Sequence, residues 1–325
     1  MKSLLSLRTL IISALTLSVS FLHANSPDSD HLVFEGSDGP GKGKHVVFLS
    51  GDEEYRSEEA LPMLAQMLAK QGFKCTVLFS LNEDGTVNPD AGDNVSHPEA
   101  MDSADALVMS LRFRHWDDKA MEHFDKAVKR GVALIALRTS THAFNFPKDS
   151  KWQKYSWRGP EELGWKNGFG RQVLGETWVS HHGKHKVEGC RSHIVEENKD
   201  HPILNGVGTI FVPSDVYGAN PEPPSTFLLR GEVTATLEPD SPGVEGKNDP
   251  MQPIAWTREY KHDNGKKNQV FTTTMGASND LLDENLRRLV LNGVFWGLGL
   301  DVLEKQDVTL PEDTARPCLH SKATR

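Results

Sequence analysis

The 325-residue sequence has only three cysteines, too few for a disulfide scaffold. Cys75 sits inside an apolar run and reads as a small core residue. Cys190 and Cys318 either pair in an oxidising compartment or stay as thiols, and the sequence leaves both readings open. No segment after the N-terminal one approaches the roughly 18 uncharged apolar residues of a spanning helix. No block of Lys and Arg interrupts a net charge of −9, which excludes the usual footprint of a polyanion-binding protein. Internal repeats and Pro/Ser linkers are also missing, so nothing marks a second domain.

What is present begins with Met1-Lys2, Arg8 and an apolar run from Leu10 to Leu22. A basic start and a short apolar stretch, too short to span a bilayer, form a leader over 1–24, with Ala24 as its last residue. The expectation is an exported protein, periplasmic or secreted, with no membrane attachment after leader removal. A polar, Gly-rich lead-in over 25–43 reads as flexible. Composition is that of a globular chain, 37% hydrophobic and 25% charged.

His45 to Ser50 reads as a buried parallel strand, ending at Gly51. Ser57 is placed to cap a helix carrying Leu61, Leu64, Met67 and Leu68 and stopping at Gly72. Phe73–Phe79 and Ala106–Leu111 follow as strands, Asp117–Lys129 as a helix stopped at Gly131, and Val132–Leu137 as a fourth strand. Strands are further expected at Lys186–Glu196, Val233–Leu237, Ile254–Glu259 and Gln269–Thr274, with a closing helix from Asp280 to about Leu298. Alternating strands and helices predict an α/β fold: an open, mostly parallel sheet with helices on both faces, over residues 44–300. A polar tail occupies 301–325. Right-handed crossovers put the loops after Ser50, Leu111 and Leu137 at one edge, where open α/β sheets bind ligands.

The first of these loops reads Ser50-Gly-Asp-Glu-Glu-Tyr-Arg56. Asp52, Glu53, Tyr55 and Arg56 have the chemistry to bind sugar hydroxyls, although acids in a first helical turn are also favoured by the helix dipole alone. The loop after the fourth strand, Leu137-Arg-Thr-Ser-Thr-His-Ala-Phe144, offers Arg138 as a hydroxyl or anion clamp and His142 as a general acid/base. In Trp178-Val-Ser-His-His-Gly-Lys-His185, His181 is a candidate pocket residue and, with His142, a candidate to move protons. His181, His182 and His185 together are a candidate divalent-metal set, although Gly183 argues against a regular metal-binding helix. No cofactor is required by the sequence.

Asp215 and Tyr217 follow a short apolar run as a candidate carboxylate and phenol, with turn chemistry after Pro213 as the plainer reading of Asp215. Trp152, Tyr155, Trp157, Trp165, Phe169 and Trp178 cluster in the long segment between 143 and 180. They suit either a sugar-stacking wall or a lid packed by its own side chains. Gly276, in Thr272-Thr-Thr-Met-Gly-Ala-Ser278, would let backbone N–H groups face an anion.

The succession of these motifs resembles the ThuA-like (trehalose-utilisation) family. The matching pieces are the first loop, the Arg138–Phe144 segment, Gly175 to His185, His201-Pro-Ile-Leu with Gly206, Asp215 with Tyr217, Pro253-Ile-Ala-Trp256, and Asn292 to Trp296. The resemblance implies a flavodoxin-like fold of the class I glutamine amidotransferase type, and a role with trehalose, other disaccharides or keto-sugars. It also marks departures. No Gly-x-Cys-x-Gly elbow occurs, so glutaminase chemistry is not expected, and Gly276 is followed by Ala277 where family members often have His. Three functions are carried forward: a His-dependent enzyme acting on a sugar derivative, a non-catalytic carbohydrate-binding or partner-recruiting module, and a metal-dependent hydrolase. The expected partner in the first two is a small-molecule carbohydrate, and none of the three involves nucleic acid.

Overall fold

The computed structural model describes residues 30–311; the leader over 1–24 and Cys318 lie outside the described residues, and with Cys318 the pairing proposed for Cys190. Ten strands form one mixed sheet: β1 His31–Phe34, β2 His45–Gly51, β3 Lys74–Leu78, β4 Ala106–Leu111, β5 Ala133–Leu137, β6 Gly189–Ile194, β7 Phe211–Val212, β8 Thr226–Thr234, β9 Gln252–Lys261 and β10 Lys267–Thr273. Their order is β1-β3-β2-β4-β5-β10-β9-β8-β6-β7. The strands from β3 through β2, β4 and β5 to β10 run parallel, and the flanking pairs are antiparallel. The expected α/β sheet is therefore parallel at its centre, with an antiparallel half beyond β10.

Helices cover both faces. One core packs β2 residues Val46 and Phe48 with α1 (Ser57–Lys70) and α3 (Glu284–Gly297). The other packs Val47 and Leu49 with α2 (Asp118–Arg130) and the long segment around Phe144 and Phe169. This two-sided burial is why β2 reads as an unbroken apolar run rather than an alternating one. In α2, the Asp117 carboxylate accepts from Ala120 N–H at 2.8 Å, a cap that contributes about 1 kcal/mol. Gly131 ends the helix at φ 91°, where a Cβ would also lie 2.7 Å from the Lys267 carbonyl. Glycine is required there twice over.

Several sequence expectations are corrected. The flexible lead-in contains β1, which adds to the sheet edge antiparallel to β3. Ser57 is not the cap of α1. Arg56 occupies that position in a left-handed conformation, and the Ser57 hydroxyl accepts from the N–H groups of Gly51 (3.1 Å) and Asp52 (2.9 Å). The strand expected at Val233–Leu237 is Thr226–Thr234, beyond which the chain turns. The closing helix starts at Glu284, capped by Asp283.

Cys75 and Cys190 are buried in strands, and burial pushes both thiols up from their ordinary values. Among the described residues no helix is long and apolar enough to cross a membrane.

Candidate functional site

The loops that follow β2, β4 and β5 meet at one edge, as parallel strands require. β2 lies between β3 and β4, so the chain reverses its winding direction at the β2/β4 crevice. Three residues other than glycine adopt left-handed backbone there: Arg56 (φ 55°), Phe113 (φ 52°) and Arg138 (φ 44°). Each costs on the order of 1–3 kcal/mol, and such strain gathers where loops are held for function.

In the β2 loop, Asp52 is fully buried. Its Oδ1 accepts from the N–H groups of Glu54 and Tyr55, both at 3.1 Å, and its Oδ2 accepts from Thr139 Oγ1 at 2.5 Å. Asp52 thus clips the β2 loop to the β5 loop. Burial pushes its carboxyl up to about 6, against the pull of the Thr139 and Tyr55 hydrogen bonds. Glu53 is paired with Arg112 and, at 2.6 Å, with Arg114, while Glu54 reaches Arg112 at 3.0 Å. Arg56 turns to Glu59 on α1 at 2.9 Å.

Arg112 and Arg114 were not singled out in the sequence. Their signal is two cations directly after a buried strand, opposite the acids of the neighbouring strand's loop.

Arg138 is enclosed almost as completely as Asp52, 1% exposed. Its guanidinium donates to the Asp215 carboxylate (2.9 Å), the Asp215 carbonyl (2.8 Å), the Thr274 carbonyl (2.8 Å) and Tyr55 Oη (3.1 Å). It lies between the rings of Tyr55 and Tyr217, 4.5 and 4.1 Å from their centroids. Arg138 therefore shapes the site through Asp215 and the two tyrosines.

Asp215 gathers the histidines. Its Oδ2 is 2.6 Å from His181 Nδ1, and its Oδ1 is 3.1 Å from His185 Nδ1. Burial works against the Asp215 charge, but the hydrogen bond with His181, the Arg138 cation and His185 together hold the carboxyl below its ordinary value. His185 Nε2 lies 3.5 Å from Glu54 Oε1.

The histidine segment is strapped to residues 215–218. His182 N and Gly183 N both donate to the Val216 carbonyl at 2.9 Å, and Gly218 N donates to the Ser180 carbonyl at 3.0 Å. Gly183 lets the strap close, since a Cβ there would be 3.1 Å from Asp215 Cβ and from Val216 N. The His182 side chain leaves the cluster, with its Nε2 2.7 Å from the Lys247 carbonyl. It stands apart from the other two members of the histidine set.

His142 is buried among the rings of Phe113, Trp157, Trp178 and Tyr217, with centroids 4.9 to 6.4 Å away. Burial, helped by the charges of Arg112 and Arg138, holds its pKa well below the ordinary imidazole value, so the ring is neutral. Trp178 also meets His181 edge-on at 5.6 Å, so one indole links the two histidines. Of the aromatics in the long segment, Trp157 and Trp178 stand here. Tyr155 and Phe169 are core residues instead, and the Tyr155 hydroxyl donates to Asp125 of α2 at 2.5 Å. Trp152 and Trp165 pack against that core.

The Gly276 turn does receive an anion, from the protein itself. Asp280 Oδ2 accepts from the N–H groups of Gly276 and Ala277, both at 3.0 Å.

A cavity of about 600 Å³ lies beside the histidine segment, lined by Asn167, Arg171, Glu176, Ser180, Gly218 and Gln252 among others. His142, His181, His185 and Asp215 do not line it. The cavity is room next to the reactive groups, sharing Ser180 and Gly218 with the strap that holds them.

A mixed α/β sheet with its polar groups gathered at the β2/β4 edge defines the class. Residues 45–297 match the ThuA family, described as trehalose utilisation, and the chain belongs to that family. Membership gives it a role connected with carbohydrate metabolism. Among solved structures, a ThuA-like protein from Parabacteroides merdae superposes with a TM-score of 0.50 at 13% identity, over 84% of this chain and 94% of that one. At that identity the likeness concerns the fold. The N-terminal domain of mmIFT52 aligns at TM-score 0.36 and 11% identity, over 79% of this chain and 97% of its own length. Comparison with curated proteins gives no match.

Proposed function

We propose that the protein is an exported enzyme that moves a proton on an oxidised sugar, a keto derivative of a disaccharide, with His142 as the base. The observation that carries this reading is the position of His142: a neutral imidazole among Phe113, Trp157, Trp178 and Tyr217, at the carboxyl edge of the sheet. Aromatic faces suit the C–H surface of a sugar ring. A neutral imidazole accepts a proton without first losing one.

In the proposed step, His142 removes the hydrogen on the carbon next to the ketone. The C–H electron pair becomes a C=C bond, and the carbonyl oxygen gains the negative charge. Arg112, whose guanidinium lies over the Phe113 ring 4.9 Å from its centroid, would be the cation to stabilise that developing oxyanion. The proton then returns to the former carbonyl carbon while the α-hydroxyl proton passes to the enolate oxygen, which is isomerisation, or it goes to a departing β-oxygen as the carbonyl re-forms, which is elimination. The polar cavity beside the strap has room for a second ring. Export is supported by the basic start and apolar run of the first 24 residues.

Incubation of the purified chain with oxidised disaccharides tests this. Product should form, and His142→Ala should lower turnover by about 10²–10⁴-fold. The non-catalytic alternative predicts sugar binding without product, weakened by Trp178→Ala and indifferent to His142→Ala; that pattern would refute the proposal.

A further inference from the structure

We propose that His181, His185 and Asp215 bind one divalent transition-metal ion. A donor atom from each lies within 4.8 Å of the other two. The three side chains come from the histidine segment and from the turn before Tyr217, and the strap described above already holds these two stretches together. Imidazole nitrogen combined with a single carboxylate is the donor chemistry of first-row divalent metals such as zinc, cobalt and manganese. This inference rests on that geometry and stands without the keto-sugar reading.

The placement of the donors fits an ion taking over from the hydrogen-bonded protons. Bonds of roughly 2.0–2.2 Å to a shared tetrahedral ion leave neighbouring donor atoms about 3.4 Å apart. His185 Nδ1 and Asp215 Oδ1 are 3.1 Å apart, and His181 Nδ1 and Asp215 Oδ2 are 2.6 Å apart. Small outward movements of His181 and His185, on rings 35% and 30% exposed, open both spacings. On ion binding each Nδ1 gives up its proton contact with the carboxylate and donates its lone pair to the metal.

The surroundings are those of a supported site. Metal-bound imidazoles place their other nitrogen on a carboxylate or carbonyl, which fixes the tautomer. Here Glu54 stands 3.5 Å from His185 Nε2. Asp215 is held from behind by Arg138 at both its carboxylate and its main-chain carbonyl, so its direction is set before any ion arrives.

The Arg138 cation also sets selectivity. It disfavours magnesium and calcium, which depend on summed carboxylate charge, and leaves affinity to the imidazoles. The side chains of His181 and His185 are 35% and 30% exposed, so an ion can enter. Three protein donors leave a further position open, the pattern of catalytic rather than structural sites.

The test uses the full chain, stripped with a chelator and titrated with Co²⁺ while the visible spectrum is followed. One equivalent should produce saturable d–d absorption, and Zn²⁺ should displace it. His181→Ala and His185→Ala should each weaken binding at least tenfold, with circular dichroism unchanged because both rings are part-exposed. His182→Ala should bind as the parent does. Absence of a saturable signal at one equivalent would overturn the proposal, leaving a hydrogen-bonded triad and nothing more. Binding that survives in both the His181 and His185 variants, or that falls equally in His182→Ala, would also overturn it. No sugar enters these measurements, so their outcome is separate from that of the turnover assay.

Discussion

Arg138 and Asp215, 77 residues apart, are joined twice: the guanidinium of one donates to both the carboxylate and the main-chain carbonyl of the other, at 2.9 and 2.8 Å. Both side chains are buried, so neither charge has water to fall back on. Removing the cation leaves a carboxylate whose burial is no longer compensated, a loss of about 3–5 kcal/mol. Arg138→Met should therefore lower Tm by roughly 10 °C, measured by calorimetry. Arg138→Lys should recover only part of this, because an ammonium lacks the planar fork. A variant as stable as the parent would show that the pair does not organise the site.

Gly183 is the contact point between the histidine strap and Asp215. A methyl group there meets Asp215 Cβ and Val216 N at 3.1 Å, tighter than an ordinary contact. Gly183→Ala should cost only about 1 kcal/mol of stability, yet weaken Co²⁺ binding roughly tenfold by displacing His181 and His185 from Asp215. Equal Co²⁺ affinity in parent and variant would argue that the strap need not close so tightly.

Asp52 links proton uptake to stability. Its carboxyl is pushed up to about 6 in the folded protein from the ordinary value of 3.8, chiefly by burial. Between those pH values the folded protein keeps a proton that the unfolded chain has released. This group's contribution to stability is therefore greatest below the lower value and falls as pH rises through the window. Above the window it is flat, at a penalty of roughly 3 kcal/mol. Asp52→Asn carries no titrating group and preserves a partner for Thr139. In urea denaturation from pH 4 to 7.5, the parent should show this decline on top of its other titrations and the variant should lack it. Identical slopes would place the titration elsewhere.

On the proposed mechanism, His142 sets the acid limb of activity. Its pKa is well below the ordinary imidazole value of about 6.5, so the neutral, proton-accepting form persists as pH falls through that value. The kcat/KM of the parent should hold level across pH 6.5 and decline only at lower pH. A limb centred at 6.5 or above would assign the base to a more exposed histidine.

How much of this was legible beforehand depends on the range over which each feature is encoded. β2, with Val46 to Leu49 buried on both faces, announces itself as an apolar run. α2 announces itself through Asp117 at one end and Gly131 at the other. β8 was misplaced because Arg230, Gly231 and Glu232 interrupt its apolar pattern, and its pairing with β9 is broken by register shifts.

Asp52, Tyr55, Arg138 and His142 could be named from loop position, since the ends of β2 and β5 must share an edge. Their partners could not. Nothing local in Leu137-Arg-Thr says that Arg138 will be enclosed by Tyr55, Tyr217 and Asp215. Nothing in His181-His-Gly-Lys-His says that His182 will turn to the Lys247 carbonyl while its neighbours turn to Asp215. Arg112 and Arg114 escaped notice because their meaning lies in Glu53, on another strand's loop.

The most direct test of the central claim is solvent deuterium exchange. The purified protein is incubated with an oxidised disaccharide in D₂O, and loss of the hydrogen next to the ketone is followed by proton NMR. Exchange should be accelerated by the parent and fall by about 10²-fold or more in His142→Ala. Exchange at the parent rate in His142→Ala, or at the uncatalysed rate in the parent, would contradict the assignment of proton transfer to this residue.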